Sequence, residues 1–407
     1  MISFDDLFRI DPDVEYFPEY DCKGEYNGIC FHRIKAITYN GAMYKGKPTR
    51  IFAHIGFPEN TQKPVPAVVL VHGGGGHPDD VWIKKWNEHG YAAIAMSTDG
   101  FFPCQPMPLC EGHGSECMVH KLVHPFHKEG YIETPGTTHI ADSDIPIKDQ
   151  WMYHAVASVI LANNLLHRDE RVTSDRIGIC GISWGGIIAA ITIGYDPRFA
   201  FAIPIYGSGY LGCGHSGLDK IFNVPGTQKW YAEKRFDRVK IPVMWLCWND
   251  DCCFSVNSNS MSYQDTKQGN SNTCLSMIHN MGHSHSCAYT PKESYWFADE
   301  VLAGNRIPEV TAEYAGNTVK YSCSVKTKSI RLFYITEKMT YTNREKHGLR
   351  NTFMEQDWQI VDLDPDKNQA TLPDNAVGKY TEFTLENGIV LTTPYNEFKN
   401  QTQCRQE

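Results

Sequence analysis

A chain of 407 residues, 42% hydrophobic and 21% charged, has ordinary globular composition and room for two domains, which excludes a disordered or coiled-coil protein. Its formal charge of −9 comes from 47 acidic against 38 basic residues with no long run of one sign, which excludes nucleic acid and anionic membranes as partners. The opening "MISFDDLFRIDPD" carries acids where a secretory signal needs basic and then apolar residues, and no segment reaches the roughly 18 apolar residues of a membrane span. A cytoplasmic protein is expected, and the 14 scattered cysteines fit reduced thiols better than a disulfide framework.

Residues 31–57 alternate around Asn40-Gly41 and the turn at Lys45-Gly46-Lys47-Pro48, and predict antiparallel strands. "PAVVLV" (66–71) is then a continuous apolar run of buried-strand type, "DVWIKKWNEHG" (80–90) a helix, and "YAAIAMS" (91–97) a second buried strand. Residues 103–148 are rich in Pro, Gly, His and Cys without a sustained period, and read as an insertion over one end of the sheet. "QWMYHAVASVILANNLLH" (150–167) has helical spacing, and "RIGICGIS" (176–183), "FAFAIPIY" (199–206) and "IPVMWLCW" (241–248) follow as buried strands with helical segments between. Such alternation predicts an α/β domain over 1–306, a mostly parallel sheet with helices on both faces. The texture changes near Asn305-Arg306-Ile307-Pro308. Short β-like runs and a hairpin turning at Asn387-Gly388 predict a small all-β, sandwich-like domain over 307–407.

Within "RIGICGISWGGIIAA" (176–190), Gly181-Ile-Ser183-Trp184-Gly185 fits G-x-S-x-G at a strand-to-helix turn, the pattern of a nucleophile elbow. A plainer reading is that small residues let a helix pack on a sheet. The chemical reading makes a demand that can be checked along the chain. A serine hydroxyl is a weak nucleophile at neutral pH, so an acid and a histidine should follow in that order. The strand "IPVMWLCW" runs into Asn249-Asp250-Asp251, and "CLSMIHNMGHSHS" ends with His283 and His285. His283 is preferred because Gly282 lets the loop bend back at once, with His285 as competitor; Asp250 is the expected acid, with Asp251 as alternative. His279 belongs to the preceding strand and reads as a packed or hydrogen-bonded histidine. Acyl transfer also needs donors for the developing oxyanion. After "AVVLV" come His72-Gly73-Gly74-Gly75-Gly76, where the N–H of Gly74 or Gly75, with that of Trp184, is the candidate. No metal or organic cofactor is required.

Three further patterns fall short of a binding site. Gly207-Ser-Gly209-Tyr-Leu-Gly212 spells G-x-G-x-x-G, but more glycines follow where a dinucleotide site opens a helix. Cys110, His113, Cys117, His120, His124 and His127 match no standard metal-ligand spacing, and Gly112, Gly114 and Pro125 interrupt any single helix through them. His283, His285 and Cys287 lack further ligands at a recognised spacing.

The stretches "VVLVHGGGG", "WNEHGYAAIAM", "DQWMYHAVASVILANNLL", "RIGICGISWGGIIAA", "RFAFAIPIYGSGYL" and "MGHSH" together resemble bacterial α/β-hydrolases of the acetylxylan esterase and dienelactone hydrolase type. More narrowly, they are similar to long acetylxylan-esterase-like proteins with a small C-terminal β domain. The resemblance implies an α/β-hydrolase fold with Ser183 as nucleophile, Asp250 as acid and His283 as base. It also implies a carboxylic-ester hydrolase that takes small acyl groups, acetyl foremost, from a small-molecule or oligosaccharide ester. Tyr206, Tyr210 and Trp248 are candidate flat surfaces for a sugar ring. The sequence departs from the family pattern at His77-Pro78-Asp79-Asp80, in the length of 103–148 and at Cys252-Cys253, all near the expected site. A lactone, carbon–carbon, peptide or amide hydrolase is the rival within the same chemistry. A catalytically silent module binding carbohydrate or protein is the rival outside it.

Overall fold

The computed structural model describes residues 2–22, 25–26, 29–30, 34–100, 102, 140–214, 216–251, 253–339 and 356–397. The chain divides into two compact units, Met1–Ile205 with Val224–Trp230, and Tyr206–Asn223 with Tyr231–Glu407.

The first unit is built on strands β1 (Val14–Tyr16), β2 (Ile34–Asn40), β3 (Arg50–Gly56), β4 (Val65–Val71), β5 (Ala92–Met96), β6 (Val172–Ile182) and β7 (Phe201–Ile205). In space they run β1-β2-β3-β5-β4-β6-β7. The pairs from β1 through β3 to β5 are antiparallel, and those joining β5, β4, β6 and β7 are parallel. Every residue from Ala67 to Val71 is fully buried, as expected of a parallel strand covered on both faces. Helices α1 (Asp80–Glu88), α2 (Trp151–Arg168) and α3 (Trp184–Thr192) pack against these strands. The Asp79 side chain starts α1 by accepting from Trp82 N–H at 2.9 Å. α2 and α3 are apolar nearly all round because almost no face of either reaches solvent.

In the second unit, β8 (Met244–Trp248) and β9 (Cys274–Ile278) pair in parallel, with α4 (Val256–Lys267) between them in sequence. After α5 (Glu293–Leu302) the chain turns all-β. β10 (Val310–Ala315), β11 (Thr318–Cys323), β12 (Thr327–Ile335), β13 (Gln359–Leu363), β14 (Gln369–Thr371), β15 (Gly378–Leu385), β16 (Val390–Thr392) and β17 (Asn396–Glu397) form two antiparallel sheets. One is ordered β10-β11-β14 and the other β13-β12-β15-β16, with β17 on β15. Val319 and Tyr321 of the first sheet close a core with Ile330, Leu332, Leu363 and Phe383 of the second. Ser276 Oγ on β9 donates to Val390 O at 2.7 Å, which ties the small sheets to the parallel pair.

Among the described residues no helix is long and apolar enough to cross a membrane, and Cys22, Cys180, Cys247 and Cys274 are buried free thiols. The 110–127 cysteine and histidine set, and most of the 103–148 insertion, lie outside the described residues.

Candidate active site

β6 ends at Ile182 and α3 begins at Trp184, which leaves Ser183 alone on the turn with φ 57° and ψ −118°. A side-chain-bearing residue avoids that region, and one is kept there only where its surroundings force it. Ser183 N–H donates to Ile205 O at 2.8 Å, and Ser183 O accepts from Ile187 N–H at 3.0 Å. The approach of α3 to β4 leaves no room for a Cβ at Gly185, which would lie 2.0 Å from Val71 O. The half-buried serine thus stands at the positive end of the α3 dipole, before the first-turn amides that begin with Trp184 N–H. The Trp184 ring meets Trp151 edge-to-face at 5.9 Å, and Trp151 Nε1 donates to Asp99 Oδ1 at 3.1 Å.

The glycine run after β4 is a closed turn. Gly76 N–H donates to Gly73 O at 2.8 Å, and Gly75 has φ 63°, which a residue with a Cβ adopts only under strain. Gly74 and Gly75 are exposed, and their N–H groups make no hydrogen bond among the described residues. His72 braces the turn from behind. Its Nε2 accepts from Thr98 N–H at 3.1 Å, which puts the ring proton on Nδ1, and Nδ1–H donates to Gly73 O at 2.8 Å. Only its place beside the glycines marks His72 in the sequence, and its part as a brace escaped the reading of motifs.

In the second unit Asp251 and His283 are joined. His283 Nδ1 lies 2.5 Å from Asp251 Oδ2, and the Asp251 side chain is fully buried. The other carboxylate oxygen, Oδ1, accepts from Cys253 N–H at 2.8 Å and Phe254 N–H at 3.0 Å, so the carboxylate is fixed from both sides. The expectation of Asp250 in this place is corrected. Trp248 to Asp251 make a turn closed by Asp251 N–H to Trp248 O at 3.2 Å. Asp250 Oδ1 instead accepts from Trp358 Nε1 at 2.9 Å and Gln356 N–H at 3.3 Å. His285 opens the short helix His285–Ala288, whose cap is Ser284. His279 accepts at Nδ1 from Asn249 Nδ2 at 3.2 Å, and burial, then Arg331, lowers its pKa.

Tyr206, Tyr210 and Trp248, the rings expected to offer flat surfaces to a sugar, are buried. Tyr206 is fully buried; its hydroxyl donates to Gly282 O at 2.6 Å and its ring stacks on His283 at 4.5 Å. Burial pushes its phenol pKa up, so it stays a donor. Phe254 lies nearly parallel to the same imidazole at 6.0 Å. Tyr210 is buried with its hydroxyl on Asp265, and Trp248 is buried as well. These rings were legible as aromatic, but nothing in the sequence separates a ring that supports a histidine from one that meets a substrate. The Gly207–Gly212 stretch is a loop, with Gly209 N–H on Ser262 Oγ at 2.9 Å. Among the described residues no group of three or more His, Cys, Asp or Glu is placed to hold a metal ion.

A serine held in strained backbone where a parallel strand turns into a helix is how α/β-hydrolases are recognised, and this chain has that fold. A profile of the acetyl xylan esterase (AXE1) family matches residues 11–233, more than half of the chain, and the chain belongs to that family. It is therefore a carboxylic-ester hydrolase by family. Among solved structures, an acetyl xylan esterase from Paenibacillus sp. R4 is similar at 15% identity, covering 74% of this chain and 91% of that one with a TM-score of 0.50. Acetyl xylan esterase 1 from Thermoanaerobacterium sp. JW/SL YS485 is similar at 15% identity, covering 73% and 93% with a TM-score of 0.48. No curated protein matches the sequence. The matched residues end before Asp251 and His283.

Proposed function

We propose that this chain is a serine esterase that removes acetyl groups from carbohydrate esters of the acetylated-xylan kind, with Ser183, His283 and Asp251 as its triad. The observation that carries the reading is the backbone of Ser183, because strain of the kind at φ 57° and ψ −118° clusters at active sites. Ser183 Oγ attacks the ester carbonyl, and His283 takes the hydroxyl proton and returns it to the leaving alkoxide. Asp251 holds the imidazole through Nδ1–H and offsets its charge while it is protonated. The N–H of Gly74 or Gly75 and that of Trp184 receive the oxyanion, each donor worth on the order of 3 kcal/mol. Water then attacks the acetyl-enzyme with His283 as base, which frees acetate and restores Ser183.

The test is hydrolysis of 4-nitrophenyl acetate and of acetylated xylo-oligosaccharides by wild type and Ser183→Ala. Wild type should release acetate from both, and the variant should fall to background, with loss of roughly 10⁴-fold or more in kcat/KM. Equal rates in the two proteins would sink the serine mechanism. Turnover of lactone or peptide substrates in preference to acetylated sugar would keep the triad and replace the substrate.

A further inference from the structure

The turn that carries Asp251 is gripped by the C-terminal sheet. Its two central residues, Asn249 and Asp250, each find partners there. Asn249 Nδ2 reaches Tyr380 Oη at 3.3 Å on β15, and Asp250 Oδ1 accepts from Trp358 Nε1 at 2.9 Å just before β13. Trp358 is itself buried in an aromatic cluster, edge-on to Tyr380 at 5.3 Å and to Phe333 at 6.4 Å, while Phe333 and Tyr380 stack at 4.9 Å. The indole N–H is therefore aimed by packing, and a ring so enclosed cannot turn it elsewhere.

Asp250 and Asp251 are adjacent carboxylates on one turn, and Asp251 Oδ2 lies 2.5 Å from His283 Nδ1. The neutral donors Trp358 Nε1–H and Gln356 N–H hold Asp250 Oδ1, while Asp251 Oδ2 holds the ring of His283. The arrangement is kept at some expense to stability. Asn249 is 3% exposed, and its Oδ1 finds no hydrogen bond among the described residues, a loss of about 1–3 kcal/mol. Such departures from full satisfaction collect at functional sites.

We infer that Trp358, backed by Tyr380, is a positioning residue for ester hydrolysis: it holds Asp250 so that Asp251 alone faces His283, and the C-terminal β sheet thereby takes part in setting the catalytic base. The inference rests on the reading of Asp251 and His283 as acid and base. Trp358 touches no reacting atom and acts through the turn.

The experiment measures kcat and KM of the full chain with 4-nitrophenyl acetate, per active site counted by fluorophosphonate labelling of Ser183. Trp358→Phe keeps the ring and removes the N–H. It should lower kcat by roughly 10- to 100-fold, the effect of a misplacement of about 1 Å, with KM changed by less than about twofold. Asp250→Ala should fall as far, and adding it to Trp358→Phe should cost nothing more, since the two act through one contact. Asp250→Asn still offers an acceptor to the indole and should retain at least about fivefold more activity than Asp250→Ala. Wild-type kcat per active site in Trp358→Phe, multiplying effects in the double variant, or equal loss in Asp250→Asn and Asp250→Ala would each overturn the inference. If Trp358→Phe does not fold, the two Asp250 variants still decide. Asp251→Asn, run alongside, keeps the two readings apart. Full activity there removes the acid–base assignment itself, whereas collapse there with an unaffected Trp358→Phe removes only the role of the sheet.

Discussion

Ser183 holds a conformation that a glycine would hold without strain, since glycine visits mirror-image β space about as readily as β space. Serine there stores about 1–3 kcal/mol, and the larger backbone entropy of an unfolded glycine offsets part of what its replacement would release. Ser183→Gly should therefore raise folding stability by about 1 kcal/mol while abolishing ester hydrolysis and fluorophosphonate labelling. Urea unfolding reads the first effect, and an unchanged or lower midpoint would show that the strain is not stored at this residue. The same scale explains what the sequence left open. Serine between glycines is a local pattern, so Ser183 was legible as it stood. Asp250 and Asp251 are chemically alike and adjacent, and their separation depends on Trp358, 108 residues further along the chain. No local pattern carries that information. His283 could be preferred to His285 because Gly282, at φ 78°, is a local signal for a loop that bends at once.

At the level of elements, the glycine turn is as much a part of β4 and β5 as of the loop between them. His72 joins them by accepting Thr98 N–H just after β5 and donating to Gly73 O just after β4. His72→Phe preserves the ring volume and removes these two bonds together with the contact of Nε2 to Thr98 Oγ1 at 3.1 Å. Thr98 N–H is then buried without its partner, at about 1–3 kcal/mol, and the turn loses its brace. A whole oxyanion donor is worth 10²–10³ in kcat, so a loosened one should cost less, and a roughly tenfold fall in kcat with KM within about twofold is expected. Steady-state kinetics alongside urea unfolding separates the effects. Loss of stability with unchanged kcat would make His72 a structural brace only. The buried parallel strands were readable because strands covered on both faces are continuously apolar, and the late β domain because its strands alternate or meet at Asn387-Gly388. The pairing of β3 with β5 was not, since it joins segments separated by β4 and α1 and leaves no period in either.

Over the whole molecule, acid is the condition to which the buried histidines respond together. Burial is the largest cause lowering the pKa of His54, His154, His167 and His279, and for His154 the value falls from 6.5 to about 4. Each stays neutral in the folded chain at a pH where its unfolded counterpart takes up a proton. The stability each contributes is present above pH 6.5 and is lost as pH falls from there through the folded value. Burial raises Glu233, Glu293 and Glu382, which act in the opposite sense, so the net slope of the wild type mixes the two groups. One substitution isolates a single share. His154, in α2, has Nε2 2.8 Å from Lys148 O, and Gln keeps a donor on a side chain that does not titrate. Between about pH 7.5 and 5, wild type should lose roughly 2 kcal/mol more folding stability than His154→Gln, at about 1.36 kcal/mol for each pH unit below 6.5. Chemical unfolding at the two pH values gives the difference directly: the variant is less stable at neutral pH, and its deficit narrows or reverses in acid. Parallel losses in the two proteins would show that His154 is already protonated, or already exposed, in the folded chain.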